Sequence, residues 1–178
     1  MAKKIENNPA KTVESLFKKV TNLIEQARVR VATAMNVAEV YTKYQIGRYI
    51  VEEEQSGMVR AEYGKQVLEG LSEQLMKRYE EGWTVDTLKR CRFFYKVYCS
   101  TQIGATLLPQ SGNMPKFTLS WSHYLVLMRI KNADERRFYE IEATSGNWSV
   151  RELQRQYGSS LYERLALSRD KDSVARVG

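Results

Sequence analysis

From Thr12 onward, apolar residues return at alternating spacings of four and three: Val13, Phe17, Val20, Ile24, Ala27, Val31, Ala34 and Ala38. That period places them on one stripe and predicts a long amphipathic helix reaching Val51 or Glu54, with Gln55-Ser56-Gly57 ending it. All three prolines (Pro9, Pro109, Pro115) fall outside residues 10–108, so none breaks a helix there. The stripe fits a coiled-coil seam, and hence a homodimer contact through residues 12–51. The ordinary alternative is that it packs on its own domain.

A second helix is expected over Tyr63 to Tyr79, with Val67, Leu68, Leu71, Leu75 and Met76 facing inward. Glu80-Glu81-Gly82 makes the turn, and Gly82 suits a left-handed position after the helix. A third helix runs from Val85 to Cys99 with Val85, Leu88, Cys91, Tyr95 and Tyr98 as its apolar stripe. Residues 100–119 hold two prolines and two glycines and read as a linker or long loop. Beyond it come a helix capped by Ser120 and reaching Ile130, one from Ala133 to Thr144, and one from Val150 to Leu165 with a break at Gly158. Residues 1–11 and 168–178 read as flexible ends.

Two stretches repeat each other. Gly82-Trp83-Thr84-Val85-Asp86-Thr87-Leu88-Lys89-Arg90 returns 65 positions later as Asn147-Trp148-Ser149-Val150-Arg151-Glu152-Leu153-Gln154-Arg155. Thr84 and Ser149 are helix N-cap types. Trp83 and Trp148 precede the caps and Leu88 and Leu153 follow four residues on, the spacing of a hydrophobic staple. The second copy adds Glu152, giving the Ser-x-x-Glu form of a capping box. Many helical proteins reuse a good start signal, but matching Trp, Leu and Arg exceed what capping needs. The expected fold class is therefore all-α: a helical domain with a long N-terminal amphipathic helix and two helix-turn-helix-like units, over 12–99 and 120–167.

Charge sharpens this picture. The 178 residues carry a formal charge of +7, and residues 84–120 hold four of those seven charges. At 100° per residue, Lys89, Arg90, Phe93 and Lys96 share an arc of the third helix opposite its apolar stripe, with Asp86 among them and Arg92 at the edge. A local cationic surplus on a candidate recognition helix points at phosphate. In the second unit Arg151 and Arg155 take the places of Asp86 and Arg90. Gln154 replaces Lys89 and has the groups to hydrogen-bond adenine in a major groove. Cations on an exposed helix face are also commonly just solvated, and the placement after a repeated turn is what lifts these above that reading.

Enzyme chemistry finds little footing. His123 is the only histidine, and in the first turn of its helix it reads as a partly buried structural residue. Cys91 and Cys99 lack zinc spacing and stand about 12 Å apart along one helix, too far for a disulfide. No phosphate-loop or dinucleotide glycine pattern occurs. No Asp-x-Lys or Glu-x-Lys tripeptide is present, so the usual restriction-nuclease metal site cannot be assembled. No catalytic residue, metal or cofactor is expected. No membrane span or secretory leader is legible, and a reduced cytoplasmic protein is expected.

At Tyr63-Gly64-Lys65, Leu71-Ser72, Leu119-Ser120-Trp121-Ser122-His123-Tyr124, Arg137-Phe138-Tyr139, Trp148-Ser149-Val150-Arg151-Glu152-Leu153 and Leu161-Tyr162-Glu163-Arg164-Leu165, the chain resembles a bacterial family. It is similar to the N-terminal domain of the YhcG-type proteins over about residues 20–171. The resemblance implies that this helical domain precedes a PD-(D/E)XK nuclease-like domain and directs it to DNA, in restriction or defence against mobile DNA. The family offers no established catalytic residues in this half, so the resemblance implies none here. The chain ends where the nuclease-like domain would begin, which puts cleavage by this chain alone in doubt.

The expected function is duplex-DNA binding without catalysis, through Lys89, Arg90, Arg92, Phe93 and Lys96, with Arg151, Gln154 and Arg155 as a weaker second set. The rival is a helical homodimerisation or adaptor module whose basic arc is incidental. RNA is a weaker option, because no single-strand aromatic platform is recognisable.

Overall fold

The computed structural model describes residues 9–56, 61–79, 82–99 and 115–167. The expected flexible ends fall largely, and the expected linker mostly, outside the described residues. Six helices run in order: α1 (Pro9–Ser56), α2 (Ala61–Tyr79), α3 (Val85–Cys99), α4 (Trp121–Leu127), α5 (Ala133–Ser145) and α6 (Val150–Gly158). A turn at 159–160 and a short helix α7 over 161–167 follow, so the expected break at Gly158 is real. No strand occurs among the described residues.

The chain forms two compact units, Met1–Asn36 and Val37–Gly178, dividing inside α1. In the first, the described part is helix alone, and its apolar side chains are exposed: Val13, Phe17, Val20, Ile24 and Val31 are 45–68% accessible. In the second, α3 is the central element, because its side chains enter two clusters. Leu88 packs with Ile50 and Leu68, flanked by Ile46, Leu71, Leu75 and Trp83. Phe94, Tyr95 and Tyr98 join Val40, Tyr44, Phe117, Tyr124, Leu127, Tyr139 and Leu153 in the larger one. Met76, expected inward on α2, is 41% exposed; Ser72 is buried instead, its hydroxyl donating to the Trp83 carbonyl at 2.8 Å.

Phe94 is the middle of the larger cluster. Its ring centroid lies 4.9–6.0 Å from those of Tyr44, Tyr98, Phe117, Trp121 and Tyr124. Tilted and edge-on pairs of this kind add about 0.5–1.5 kcal/mol each beyond simple burial. Phe117 belongs to the end of the stretch expected as linker, yet it is 3% exposed. The backbone there is tied down. Tyr41 donates its hydroxyl hydrogen to the Pro115 carbonyl at 2.8 Å, and the Thr118 amide donates to the Tyr124 hydroxyl at 3.2 Å. Two aromatic anchors thus turn residues 115–119 into a strap over α1 and α4.

Helix α1 reaches α3 at Gly47. A Cβ there would overlap the Cys91 carbonyl oxygen and carbon and the Cβ of Tyr95. Only a residue without a side chain allows this backbone approach. Lys43, one turn earlier, lies with its ammonium 5.0 Å from the Trp83 ring centroid and 5.3 Å from that of Trp121, and 3.4 Å from Glu39.

A buried polar group sits at the α3–α4–α5 junction. Tyr124 donates its hydroxyl hydrogen to Glu140 at 2.9 Å, the Tyr98 hydroxyl lies beside the same carboxyl, and Arg136 donates to the Ile130 carbonyl at 2.9 Å. The Arg136 guanidinium faces the Tyr98 ring at 5.7 Å. Burial raises the Glu140 pKa above its ordinary 4.5, although the hydrogen bond from Tyr124, the charge of Arg136 and the nearby Tyr98 hydroxyl oppose the shift. Burial likewise pushes the Tyr98 and Tyr124 phenols up.

Two predictions follow from this packing. Gly47→Ala should destabilise the fold by about 2–3 kcal/mol through overpacking, outweighing the gain of about 1 kcal/mol in helix propensity. Urea unfolding reads the difference, and an unchanged midpoint would mean that the two helices can separate freely. At Glu140, the folded chain retains a proton that the unfolded chain releases above pH 4.5. The stability this group contributes is therefore full below that pH and lost as pH rises through its raised folded pKa. Glu140→Gln keeps an acceptor for Tyr124 and cannot ionise. Its stability should fall less than that of the wild type between mildly acidic and neutral pH, and parallel curves would place the titration elsewhere.

Candidate nucleic-acid interface

The two sequence repeats adopt matching local structures. Gly82 has φ 100° and Asn147 has φ 48°, so the first position of each copy lies in the left-handed region; glycine and asparagine are the residues that tolerate it best. The caps then form as expected. The Thr87 amide donates to the Thr84 hydroxyl at 3.3 Å, and the Glu152 amide donates to the Ser149 hydroxyl at 3.2 Å. Leu88 and Leu153 are fully buried and Trp83 and Trp148 are half-buried. Even the Trp carbonyls are held alike, by Ser72 in the first copy and His123 in the second.

His123 is a structural residue. Its Nε2 stands 2.9 Å from the Trp148 carbonyl oxygen and its Nδ1 2.7 Å from the Ser120 hydroxyl. A carbonyl only accepts, so Nε2 carries the hydrogen, and in the neutral ring Nδ1 accepts from Ser120. This engagement explains a difference from the expected cap: the Ser120 side chain makes no capping bond to α4.

The capping box of the second copy is half-made, and that matters for charge. Ser149 caps, but the Glu152 carboxylate accepts from Arg155 at 2.6 Å and from Gln156 at 2.7 Å. In the first copy the equivalent position is Thr87, whose hydroxyl lies 3.2 Å from that of Thr84. Arg90, the counterpart of Arg155, consequently lacks this acidic neighbour.

On the outer side of α3, Lys89, Arg90, Phe93 and Lys96 are exposed, Phe93 to 49%. Phe93 stands three or four residues from each of these cations, so all four share one helix surface. Among the described residues neither Lys89 nor Arg90 forms an ion pair. Arg92 and Lys96 do: Arg92 meets Glu54 of α1 at 2.5 Å, and Lys96 meets the other oxygen of the same carboxylate at 3.5 Å. Sequence reading missed Glu54, because a partner 38 residues away leaves no local signal. Beside this pair is a cavity of about 520 Å³ where Lys65, Lys89 and Arg92 meet Glu54 and Glu69. On α6, Arg151, Gln154 and Arg155 are exposed on one face, with Arg155 held by Glu152.

The arrangement offers cations and one aromatic ring to an anionic, stackable partner. Among the described residues no three His, Cys, Asp or Glu side chains converge as metal ligands, and no helix is long and apolar enough to cross a membrane. Cys91 is a buried thiol that burial pushes up to about 11, and Cys99 is raised for the same reason; neither is an activated nucleophile. The larger cavity, about 560 Å³ between α1 and α2, is apolar, lined by Ile46, Tyr49, Leu68, Leu71 and Trp83 among others.

Residues 19–164, which include both repeats, match the DUF1016 N-terminal domain. The chain belongs to that family. It is also 36% identical over 176 residues to a protein of Escherichia coli (strain K12) named "Putative nuclease YhcG", a match covering 87% of this chain and 47% of the relative. The chain thus spans about half the length of the curated relative it matches. No solved structure matches the chain. The YhcG-type resemblance read from the motifs is therefore shown, and with it an all-helical N-terminal domain.

Proposed function

We propose that this chain is a non-catalytic, duplex-DNA-binding module that brings a nuclease activity carried elsewhere in such proteins to its target. The observation that carries the reading is the outer face of α3, where Lys89, Arg90 and Phe93 stand exposed together directly after the Gly82 turn. Lys89 and Arg90 are the primary contacts, and Phe93 packs against sugar or base. Arg151 and Gln154 form the second set. Arg92, Lys96 and Arg155 contact phosphate only by exchanging a carboxylate for it. The name of the Escherichia coli relative supports a nucleic-acid substrate for the larger protein, and the family resemblance supports a role in restriction or defence against mobile DNA.

Fluorescence anisotropy with labelled duplex DNA, single-stranded DNA and duplex RNA tests this directly. Duplex DNA should bind, with an affinity that falls steeply as salt rises. Lys89→Glu with Arg90→Glu should weaken binding by at least about tenfold and lower the salt slope by about two. A folded double variant that binds as the wild type does would move the surface elsewhere, and no binding to any of the three nucleic acids at low salt would remove the proposal.

Glu54 provides a test of opposite sign. Glu54→Gln removes the carboxylate charge that Arg92 and Lys96 share, so duplex affinity at low salt should rise several-fold and the salt slope should steepen by up to about two. Weaker binding in a folded variant would instead show that Glu54 positions these cations for DNA.

A further inference from the structure

We infer that residues 13–34 of α1 pair with the same segment of a second copy of this chain. The stripe that begins the sequence keeps a strict seven-residue repeat. Phe17, Ile24 and Val31 take the a positions and Val13, Val20, Ala27 and Ala34 the d positions, with no polar residue at either. An isolated α-helix drifts by about 20° per heptad against such a repeat, so a seam this regular fits supercoiling around another helix. Among the described residues of the unit Met1–Asn36 nothing covers it. Val13, Leu16, Phe17, Val20, Leu23, Ile24, Val31 and Met35 are each 45–68% exposed.

Three features fit a second copy as the occupant. In a parallel pair of like helices each a or d residue meets its own counterpart, so the β-branched Ile24 and Val31 pack against themselves at a. In that register the flanking pairs are Leu16 with Thr21, Leu23 with Arg28, and Arg30 with Met35 of the other copy, so no like charges are opposed. Lys18 and Arg28 are already paired within their own helix, with Glu14 at 2.8 Å and Glu25 at 3.0 Å, and the Arg28 stem is free to lie along Leu23. Pairing these side chains removes on the order of 1,000 Å² from water in total, the size at which a specific interface begins. This inference is independent of the DNA reading.

Sedimentation equilibrium of the full chain without nucleic acid tests it. A concentration-dependent dimer is expected at micromolar concentration. Phe17→Glu with Ile24→Glu, which places charge on the seam, should raise the dissociation constant by at least about a hundredfold. Asn22→Glu with Val29→Glu adds the same charge at outward f positions and should leave the dimer intact. All four positions are exposed, so thermal unfolding of the rest of the chain serves as a folding control. A wild-type chain that stays monomeric, a seam variant that still pairs, or an outward variant that dissociates equally would each overturn the proposal.

Discussion

The close crossing of α1 and α3 at Gly47 is the constraint on which the larger unit depends. With no side chain between the backbones, the Cys91 carbonyl and Tyr95 come into direct contact with α1. That proximity lets one helix place Tyr44 against Phe94 and Tyr95, and Ile50 beside Leu88. Both hydrophobic clusters, and so both faces of α3, are referenced to this contact. A β-carbon would push the helices apart and open both clusters together, which is why a single methyl group matters more here than at an ordinary surface glycine.

From that crossing outward, the same helix-start signal is used twice with different surroundings. Each copy bends through a left-handed residue, caps with a hydroxyl, buries a leucine and has its Trp carbonyl held by a side chain from an earlier helix. The difference lies in electrostatics. Glu152 neutralises Arg155 in the second copy, whereas Thr87 leaves Arg90 without that neighbour, and Glu54 from α1 neutralises Arg92 and Lys96 instead. Cationic character therefore concentrates at Lys89 and Arg90 rather than along the whole arc.

Polar burial stiffens the other end of the unit. Tyr124 accepts from the Thr118 backbone and donates to Glu140, so one hydroxyl ties the strap to α5. Neither Glu140 nor Arg136 reaches bulk water easily, and each is stabilised mainly by the hydrogen bonds around it. The cost of holding Glu140 in this environment shows in its raised pKa.

Local rules explain what could be read from the amino acids alone. Apolar periodicity, the absence of proline from residues 10–108 and the hydroxyl caps of α3 and α6 located the helices, α3 to the residue, because these depend on neighbours within one or two turns. The repeat motif likewise announced both turns, and the family resemblance followed from short motifs. What depended on contacts distant along the chain was decided only by tertiary structure. Phe94 lies outside the apolar stripe of α3 legible in the sequence, yet its ring meets five others, because a helix packed on more than one side buries more than one stripe. Phe117 looked like part of a linker until Tyr44, Phe94 and Tyr124 surrounded it. Lys89 and Arg92 are equivalent by charge in the sequence, but only the fold brings Glu54 to Arg92. Periodicity specifies which face of a helix is apolar; only the assembled chain specifies what meets that face, and which charges remain for a partner.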